Sequence, residues 1–133
     1  MITAIDTSVL LDMALLDPVH ASASRDALAA AYERGGLVIC EVVYAELAPA
    51  YREREELDDL LRAVGIALEP VGEKGAWEAG KRWEVYRRSR GPRTRTLSDF
   101  LIGAHALTNG YRLLTRDRGF YRKYFEGVVV VEP

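Results

Sequence analysis

The chain has 133 residues, 49% of them hydrophobic and 29% charged, which fits one globular domain and excludes a disordered or fibrous protein. Its formal net charge of −2 carries no signature of a nucleic-acid binder, and its single cysteine, Cys40, excludes a disulfide framework and a Cys-rich metal site. A lone cysteine is typical of a reducing compartment, and the start of the chain lacks the basic residues of a secretory signal. No apolar run approaches the ~20 residues of a membrane span. We therefore expect a cytoplasmic protein with no membrane partner.

The first half of the chain predicts three strands separated by helices. The apolar run Met1–Ile5 predicts a buried first strand, and Asp17-Pro18 predicts the start of an Ala-rich helix that stops at Gly35-Gly36. The elements that follow are a strand at Leu37–Cys40, a helix over Glu41–Tyr51 interrupted near Pro49, a helix over Glu53–Val64 and a strand at Ile66–Leu68.

The second half continues the alternation. The predicted elements are a long helix over Glu73–Arg90, a break at Gly91-Pro92, a helix over Thr96–Thr108, a strand at Arg112–Thr115, a helical segment over Asp117–Phe125 and a fifth strand at Val128–Val131. Strands that alternate with helices indicate βαβ crossovers. The fold class is therefore α/β, with a mostly parallel sheet covered by helices on both faces.

Charge is distributed unevenly along the chain. Residues 1–70 contain 13 acidic and 5 basic residues, a net charge of −8, whereas residues 71–133 contain 7 acidic and 13 basic residues, a net charge of +6. This asymmetry is compatible with an acidic site beside an anion-binding face, and solvated helix faces are the alternative.

Four carboxylates are expected at one edge of the sheet. Asp6 directly follows the first strand, and Asp117 comes two residues after Thr115 at the end of the fourth. Asp99 lies in the first turn of its helix, where a carboxylate favoured by the helix dipole is the alternative. Glu46 lies at helical spacing from apolar residues and is expected to turn toward the apolar side, with an exposed or locally paired glutamate as the alternative.

Carboxylates gathered at one place repel one another and raise one another's pKa unless a cation is present. Ligands that are all oxygen, with no clustered His or Cys, suit Mg²⁺ or Mn²⁺ rather than zinc. Because ligands of parallel α/β sheets bind beyond the carboxyl ends of the strands, these acids predict a metal site of the kind used in phosphodiester hydrolysis.

Four segments in chain order resemble the PIN-domain nucleases, and specifically the VapC-type toxins of toxin–antitoxin systems. They are IDTS at 5–8 with LLD at 10–12, VYAEL at 43–47, LSD at 97–99 with IGA at 102–104, and LLTRD at 113–117 with Phe120 following. The resemblance implies that residues 1–133 form one PIN domain, with a five-stranded parallel sheet between helices. It also implies a ribonuclease dependent on Mg²⁺ or Mn²⁺, an antitoxin protein as partner and a homodimer.

The resemblance also assigns roles in the site. It implies that Asp6 and Asp99 are the most direct metal ligands and that Glu46 and Asp117 complete the shell and help to activate water. The side chains expected to hold Asp6 by hydrogen bonds are those of Thr7, Ser8 and Thr115.

Basic residues cluster before Asp99 and are candidates to bind the RNA backbone. They are Arg87, Arg88, Arg90, Arg93 and Arg95, with a solvated arginine loop as the alternative. Arg116 is a further candidate, and pairing with a neighbouring carboxylate is the equal alternative. Asp12 is expected to cap a helix or face solvent, although it could also belong to the site.

The aromatic side chains Trp77, Trp83 and Tyr86 could stack on RNA bases, but their helical spacing favours packing or dimer contacts. His105 and Cys40 are expected to be structural.

Three other functions remain open on the sequence. One is a PIN nuclease outside any toxin–antitoxin pair, and another is a non-catalytic PIN-like binding module, which the intact set of acids disfavours. The third is a phosphatase of the haloacid-dehalogenase type, which also has an Asp after the first strand. That chemistry needs a second Asp two residues later, where this chain has Ser8.

Overall fold

Parallel strands form the centre of the structure, a computed structural model that describes residues 1–89 and 94–133. Within those residues the strands are β1 (Thr3–Ile5), β2 (Leu37–Ile39), β3 (Ile66–Leu68), β4 (Arg112–Leu114) and β5 (Val130–Val131). Their order in the sheet is β3-β2-β1-β4-β5, and every neighbouring pair is parallel. The predicted α/β fold with a five-stranded parallel sheet is confirmed.

The central strand β1 positions the site. Thr3 of β1 pairs with Leu37 of β2 on one side and with Arg112 of β4 on the other, and all three residues of β1 are buried. Because β2 and β3 lie on one side of β1 and β4 and β5 on the other, the strand order reverses between β1 and β4. A ligand crevice is expected beyond the carboxyl ends of these two strands, which are followed by Asp6 and Thr115.

Helices connect the strands. They are α1 (Thr7–Ala14), α2 (Ala21–Arg34), α3 (Glu41–Leu47) followed by a 3₁₀ turn (Ala48–Ala50), α4 (Arg54–Val64), α5 (Gly72–Arg88), α6 (Leu97–Asn109) and α7 (Arg118–Tyr124). The predicted ends of α4 and α6 are confirmed, since Gly65 and Gly110 end them in the left-handed conformation, with φ of 83° and 68°. None of the helices in the described part of the chain is both long and apolar enough to cross a membrane.

Helix α1 was not among the predicted elements, and α2 begins later than predicted. The eight residues of α1 begin immediately after β1, with Asp6 as the N-cap, so the chain turns from strand to helix with no turn residues between them. α2 begins at Ala21 rather than at Pro18, because the Asp17 carboxylate accepts hydrogen bonds from the backbone N–H groups of Val19 (2.9 Å) and His20 (2.8 Å) and caps a turn before the helix.

Aromatic rings pack beneath the N-terminal half of α6. The ring of Phe100, which is 0% exposed, lies 5.4 Å from Trp83, 5.3 Å from Tyr86 and 5.2 Å from Phe120 between centroids. A Cβ at Gly103 would lie 2.6 Å from the Phe125 ring, so α6 packs too closely there for a side chain. This cluster fixes the start of α6, where Asp99 lies, against the start of α7.

The residues expected to be structural are buried. Cys40 and His105 are each 1% exposed, and His105 Nε2 lies 2.9 Å from a carboxylate oxygen of Glu69. Burial raises the pKa of the Cys40 thiol, which keeps it protonated.

Candidate active site

Asp6 lies at the centre of the site and is held by three donors. It is 7% exposed. One carboxylate oxygen accepts from the backbone N–H of Thr7 (2.8 Å), and the other accepts from the hydroxyls of Thr115 (2.6 Å) and Ser8 (3.2 Å). Burial raises the pKa of Asp6, and the negative charge of Asp99 adds to this, while the hydrogen bonds oppose it. The carboxylate is therefore oriented by its three donors, and burial disfavours its ionised form.

Asp99 and Asp117 lie near Asp6 around one buried side chain. Asp99, in the first turn of α6, accepts a hydrogen bond from the backbone N–H of Thr96 (3.1 Å). Tyr121 is 1% exposed, and its pKa is raised well above its ordinary value, first by burial and then by the charges of Asp6, Asp99 and Asp117. The charges of all three acids therefore act on Tyr121. The sequence analysis did not single out Tyr121, because a tyrosine that shares α7 with Phe120 and Tyr124 has the pattern of ordinary core.

Glu46 lies at the margin of this group. Its side chain is exposed rather than turned to the apolar side of α3, so the expected orientation is wrong. One of its oxygens accepts a hydrogen bond from the Thr7 hydroxyl (2.6 Å), and Thr7 reaches Asp6 only through its backbone N–H. Thr7 therefore links the two acids, because its backbone binds one and its hydroxyl binds the other.

Among the residues that the structure describes, Arg95 is in direct contact with one of the acids. Its guanidinium forms an ion pair with Asp117 and lies 4.4 Å from the centre of the Phe120 ring, and its backbone N–H donates to the Tyr86 hydroxyl (2.9 Å). Arg87 and Arg88 are exposed at the end of α5. The other two candidates of this cluster, Arg90 and Arg93, lie outside the described residues.

Arg116 pairs with a carboxylate, which was the expected alternative to RNA binding. Its guanidinium donates to both oxygens of Asp12, at 2.7 and 2.8 Å. Asp12 is 3% exposed and also accepts from the Ser24 hydroxyl (2.7 Å). The expectation that Asp12 caps a helix or faces solvent is wrong, because this residue anchors α1 to α2 and to the end of β4.

The chemistry of these donors suits a hard divalent cation, since the carboxylates are oxygen ligands. In the conformation seen here, the described residues contain no group of three or more His, Cys, Asp or Glu side chains placed to hold a metal ion. Asp117 is engaged by Arg95 and Glu46 by Thr7.

The raised pKa of Asp6 predicts a dependence of stability on pH. In EDTA, folded Asp6 keeps its proton at a pH where the unfolded chain, with a value near 3.8, has lost it. The stability that Asp6 contributes is therefore fully present below about pH 3.8 and is lost as the pH rises through the pKa of Asp6 in the folded protein. We expect the Tm of Asp6→Asn to rise relative to that of the unmodified protein as the pH increases above about 3.8.

Asp17→Asn is the control for this titration. Hydrogen bonds from the backbone N–H groups of His20 and Val19 lower the pKa of Asp17, so its contribution is lost only as the pH falls. The Tm difference for Asp17→Asn should stay level over the same range. A level difference for Asp6→Asn as well would contradict the burial of a titrating carboxyl at this position.

The PIN domain family model matches residues 3–126 of the chain. No curated protein matches the sequence.

Several solved structures share the fold. A chain of VapBC2 from Rickettsia felis, bound to a DNA fragment from its promoter, is 19% identical with a TM-score of 0.73, covering 99% of this chain and 98% of that one. A chain of VapBC-1 from nontypeable Haemophilus influenzae is 18% identical with a TM-score of 0.73 and the same coverage. A toxin–antitoxin complex from Klebsiella pneumoniae contains a chain that is 18% identical with a TM-score of 0.68, covering 96% of this chain and 95% of that one. At these identities the likeness establishes the fold alone.

Proposed function

Because this chain belongs to the PIN domain family, we propose that it is an endoribonuclease dependent on Mg²⁺ or Mn²⁺ and that it acts as the toxin of a cytoplasmic toxin–antitoxin pair. The observation that carries the proposal is the placement of three acids near the carboxyl ends of β1 and β4: Asp6 caps α1 directly after β1, the Asp117 backbone N–H donates to the Thr115 hydroxyl that holds Asp6, and Asp99 lies in the first turn of α6. Arg95 pairs with Asp117 beside them. Acids supply the ligands for a cation, and the neighbouring guanidinium suits a phosphate. Residues 1–133 then act as a single domain.

Asp6 and Asp99 would hold the cation, and Glu46 and Asp117 would complete its shell, directly or through water. The cation, when bound, supplies positive charge that polarises the phosphodiester and lowers the pKa of the attacking water. The hydroxyls of Thr115 and Ser8 fix the orientation of the Asp6 carboxylate, which matters because ligand orientation sets metal affinity. Arg95 is proposed to exchange Asp117 for a phosphate when RNA binds, since a guanidinium binds either oxyanion.

The toxin role is proposed from the similar structures, which are VapBC complexes and a complex described as toxin–antitoxin. The partner would be an antitoxin that places a basic side chain among the carboxylates, and the Arg95–Asp117 ion pair is an example of a guanidinium bound there. The proposed unit is a homodimer. Expression of the chain alone should arrest growth, and co-expression of the protein from the adjacent reading frame should relieve it, whereas growth unaffected by the chain favours a nuclease outside such a pair.

One observation favours a second candidate, an RNA-binding module without catalysis. Among the described residues, no three acidic, His or Cys side chains converge as metal ligands, and Asp117 is paired with Arg95. Cleavage of a labelled single-stranded RNA with Mn²⁺ or Mg²⁺, abolished by EDTA, would support the nuclease. RNA binding with no cleavage under any of these conditions would support the module.

Arg87 and Arg88 are proposed to follow the RNA backbone, and this predicts a change in salt dependence. Each phosphate contact on a single strand contributes about 0.7 to the slope of log K against log salt, so the variant with both residues changed to Ala should lose about 1.4 of slope and bind more weakly. The control is Arg62→Ala, an exposed arginine of α4 that pairs with Asp59. Equal slopes in all three proteins would remove Arg87 and Arg88 from the interface.

A further inference from the structure

A surface cavity of about 370 Å³ lies on α5, and none of the acids of the site lines it. It is lined by Trp83, Glu84, Arg87 and Arg88. Its volume falls within the range of roughly 300–1,000 Å³ that small-molecule sites occupy. We propose that this cavity is a nucleobase subsite, in which one base of a single-stranded RNA stacks on Trp83. The inference rests on the proposed function and adds to it the residue that holds the base.

Trp83 differs from the other two aromatic side chains of α5. Tyr86 is 5% exposed and belongs to the core, whereas Trp77 is 67% exposed and lies under the Lys81 ammonium, 5.2 Å from its ring centre. Trp83 is half-buried and lines the cavity. All three residues occur at helical spacing in the sequence, so only the tertiary structure distinguishes Trp83 from the other two.

The Trp83 ring is held in place by its neighbours. It stacks on Tyr86, with centroids 5.6 Å apart and planes at 25°, and meets Phe100 edge to face, with centroids 5.4 Å apart. Such a ring has little freedom to lose when a base binds. Stacking on its exposed part would therefore be obtained at a small entropic cost.

Short contacts connect the cavity to the acids. Phe100, which touches Trp83, follows Asp99 in the chain, and Tyr86 accepts a hydrogen bond from the backbone N–H of Arg95. Arg95 in turn pairs with Asp117. This chain of contacts is the reason for placing a base on Trp83 and a phosphate at the acids on one and the same strand.

The charges around the cavity suit a nucleotide rather than a purely apolar ligand. The Glu84 carboxylate lies 3.6 Å from the Lys81 ammonium and 3.6 Å from the Arg88 guanidinium, so these two neighbours balance its charge. Arg87 and Arg88 are exposed at the rim, where they can meet the phosphates on either side of a stacked base. An aromatic face flanked by arginines is the combination that single-stranded nucleic-acid sites use.

Tryptophan fluorescence tests the stacking directly. The chain has two tryptophans, so Trp83 is the only one left in the Trp77→Phe variant. This variant, in EDTA, is titrated with a single-stranded RNA of about ten nucleotides and with an abasic ribose-phosphate chain of the same length, which keeps the phosphates and lacks the bases. We expect the RNA to quench Trp83 emission and the abasic chain to leave it unchanged.

Affinity provides the second measurement. Trp83→Leu keeps an apolar side chain against Phe100, and it should bind the RNA about tenfold more weakly while binding the abasic chain as before. Trp77→Leu is the matched control and should bind both as the unmodified protein does. Should Trp83→Leu fail to fold, as judged by its melting curve, the fluorescence titration still decides the question.

The outcomes separate this inference from the proposed function. Bound RNA that leaves Trp83 emission unchanged, or equal quenching by the abasic chain, overturns the nucleobase subsite and leaves the nuclease intact. An unchanged RNA affinity in folded Trp83→Leu does the same. A protein that binds neither probe overturns both proposals.

Discussion

Asp6→Asn and Asp99→Asn are each expected to slow RNA cleavage in Mg²⁺ or Mn²⁺ by more than about 100-fold, because a bound cation supplies several kcal/mol of transition-state stabilisation and each ~1.4 kcal/mol is tenfold in rate. Folding should survive both changes. Asparagine caps a helix as well as aspartate does, so α1 keeps its N-cap. Removing the buried charge of Asp6 also removes a desolvation cost.

Cleavage rates and circular dichroism spectra of the purified variants check this result. Asp26→Asn, which changes an exposed carboxylate of α2, should cleave at the unmodified rate. Undiminished cleavage by both Asp6→Asn and Asp99→Asn would refute the assignment of the site. If only Asp99→Asn stayed active, Asp99 would be a helix-capping residue that accepts from Thr96 and nothing more.

Arg116→Ala is expected to lower the free energy of unfolding by about 2 kcal/mol, since the buried Asp12 carboxylate loses its partly exposed charged partner. Asp12 would lose both guanidinium contacts and keep only the Ser24 hydroxyl in a position that is 3% exposed. The structural loss should exceed any direct effect on RNA binding, because the guanidinium is already engaged. Urea denaturation of the unmodified protein and the variant gives the measurement.

The double variant Asp12→Asn, Arg116→Ala isolates the charge. Asparagine can still accept from Ser24 but carries no charge, so the double variant should regain part of the lost stability. A double variant less stable than Arg116→Ala would show that the Asp12 carboxylate stabilises the fold even without Arg116, so an uncompensated charge would not be the cause of the loss. Fully retained stability in Arg116→Ala itself would contradict the ion pair as a structural contact.

Much of the fold follows from local signals in the sequence. Apolar runs bounded by glycines predict the strands, and β3 is observed at the predicted residues, Ile66–Leu68. The positions of Asp6 and Asp117 after β1 and β4 follow from where the apolar runs stop. Because all the strands are parallel, residues that follow them must lie at one edge of the sheet, so the sequence could predict an acidic site there.

The short helix α1 escaped prediction for a physical reason. Four of its eight residues are buried, including the polar Thr7 and Asp12, so the segment shows no clear alternation between an apolar and a solvated face. Its N-cap, Asp6, is also a candidate metal ligand. One carboxylate serves both purposes, and a local pattern cannot separate a cap from a ligand.

What the sequence determined by itself is the order of the elements and the edge of the sheet at which the acids gather, because periodicity, caps and strand ends are encoded within a few neighbouring residues. Only the tertiary structure decided which charges meet. Arg116 pairs with Asp12 across 104 residues and Arg95 with Asp117 across 22. It also decided that Glu46 is exposed and that Trp83, rather than Trp77, lines a cavity. With 20 acidic residues in the chain, the partner of each arginine is chosen by strand order and packing, which no local pattern contains.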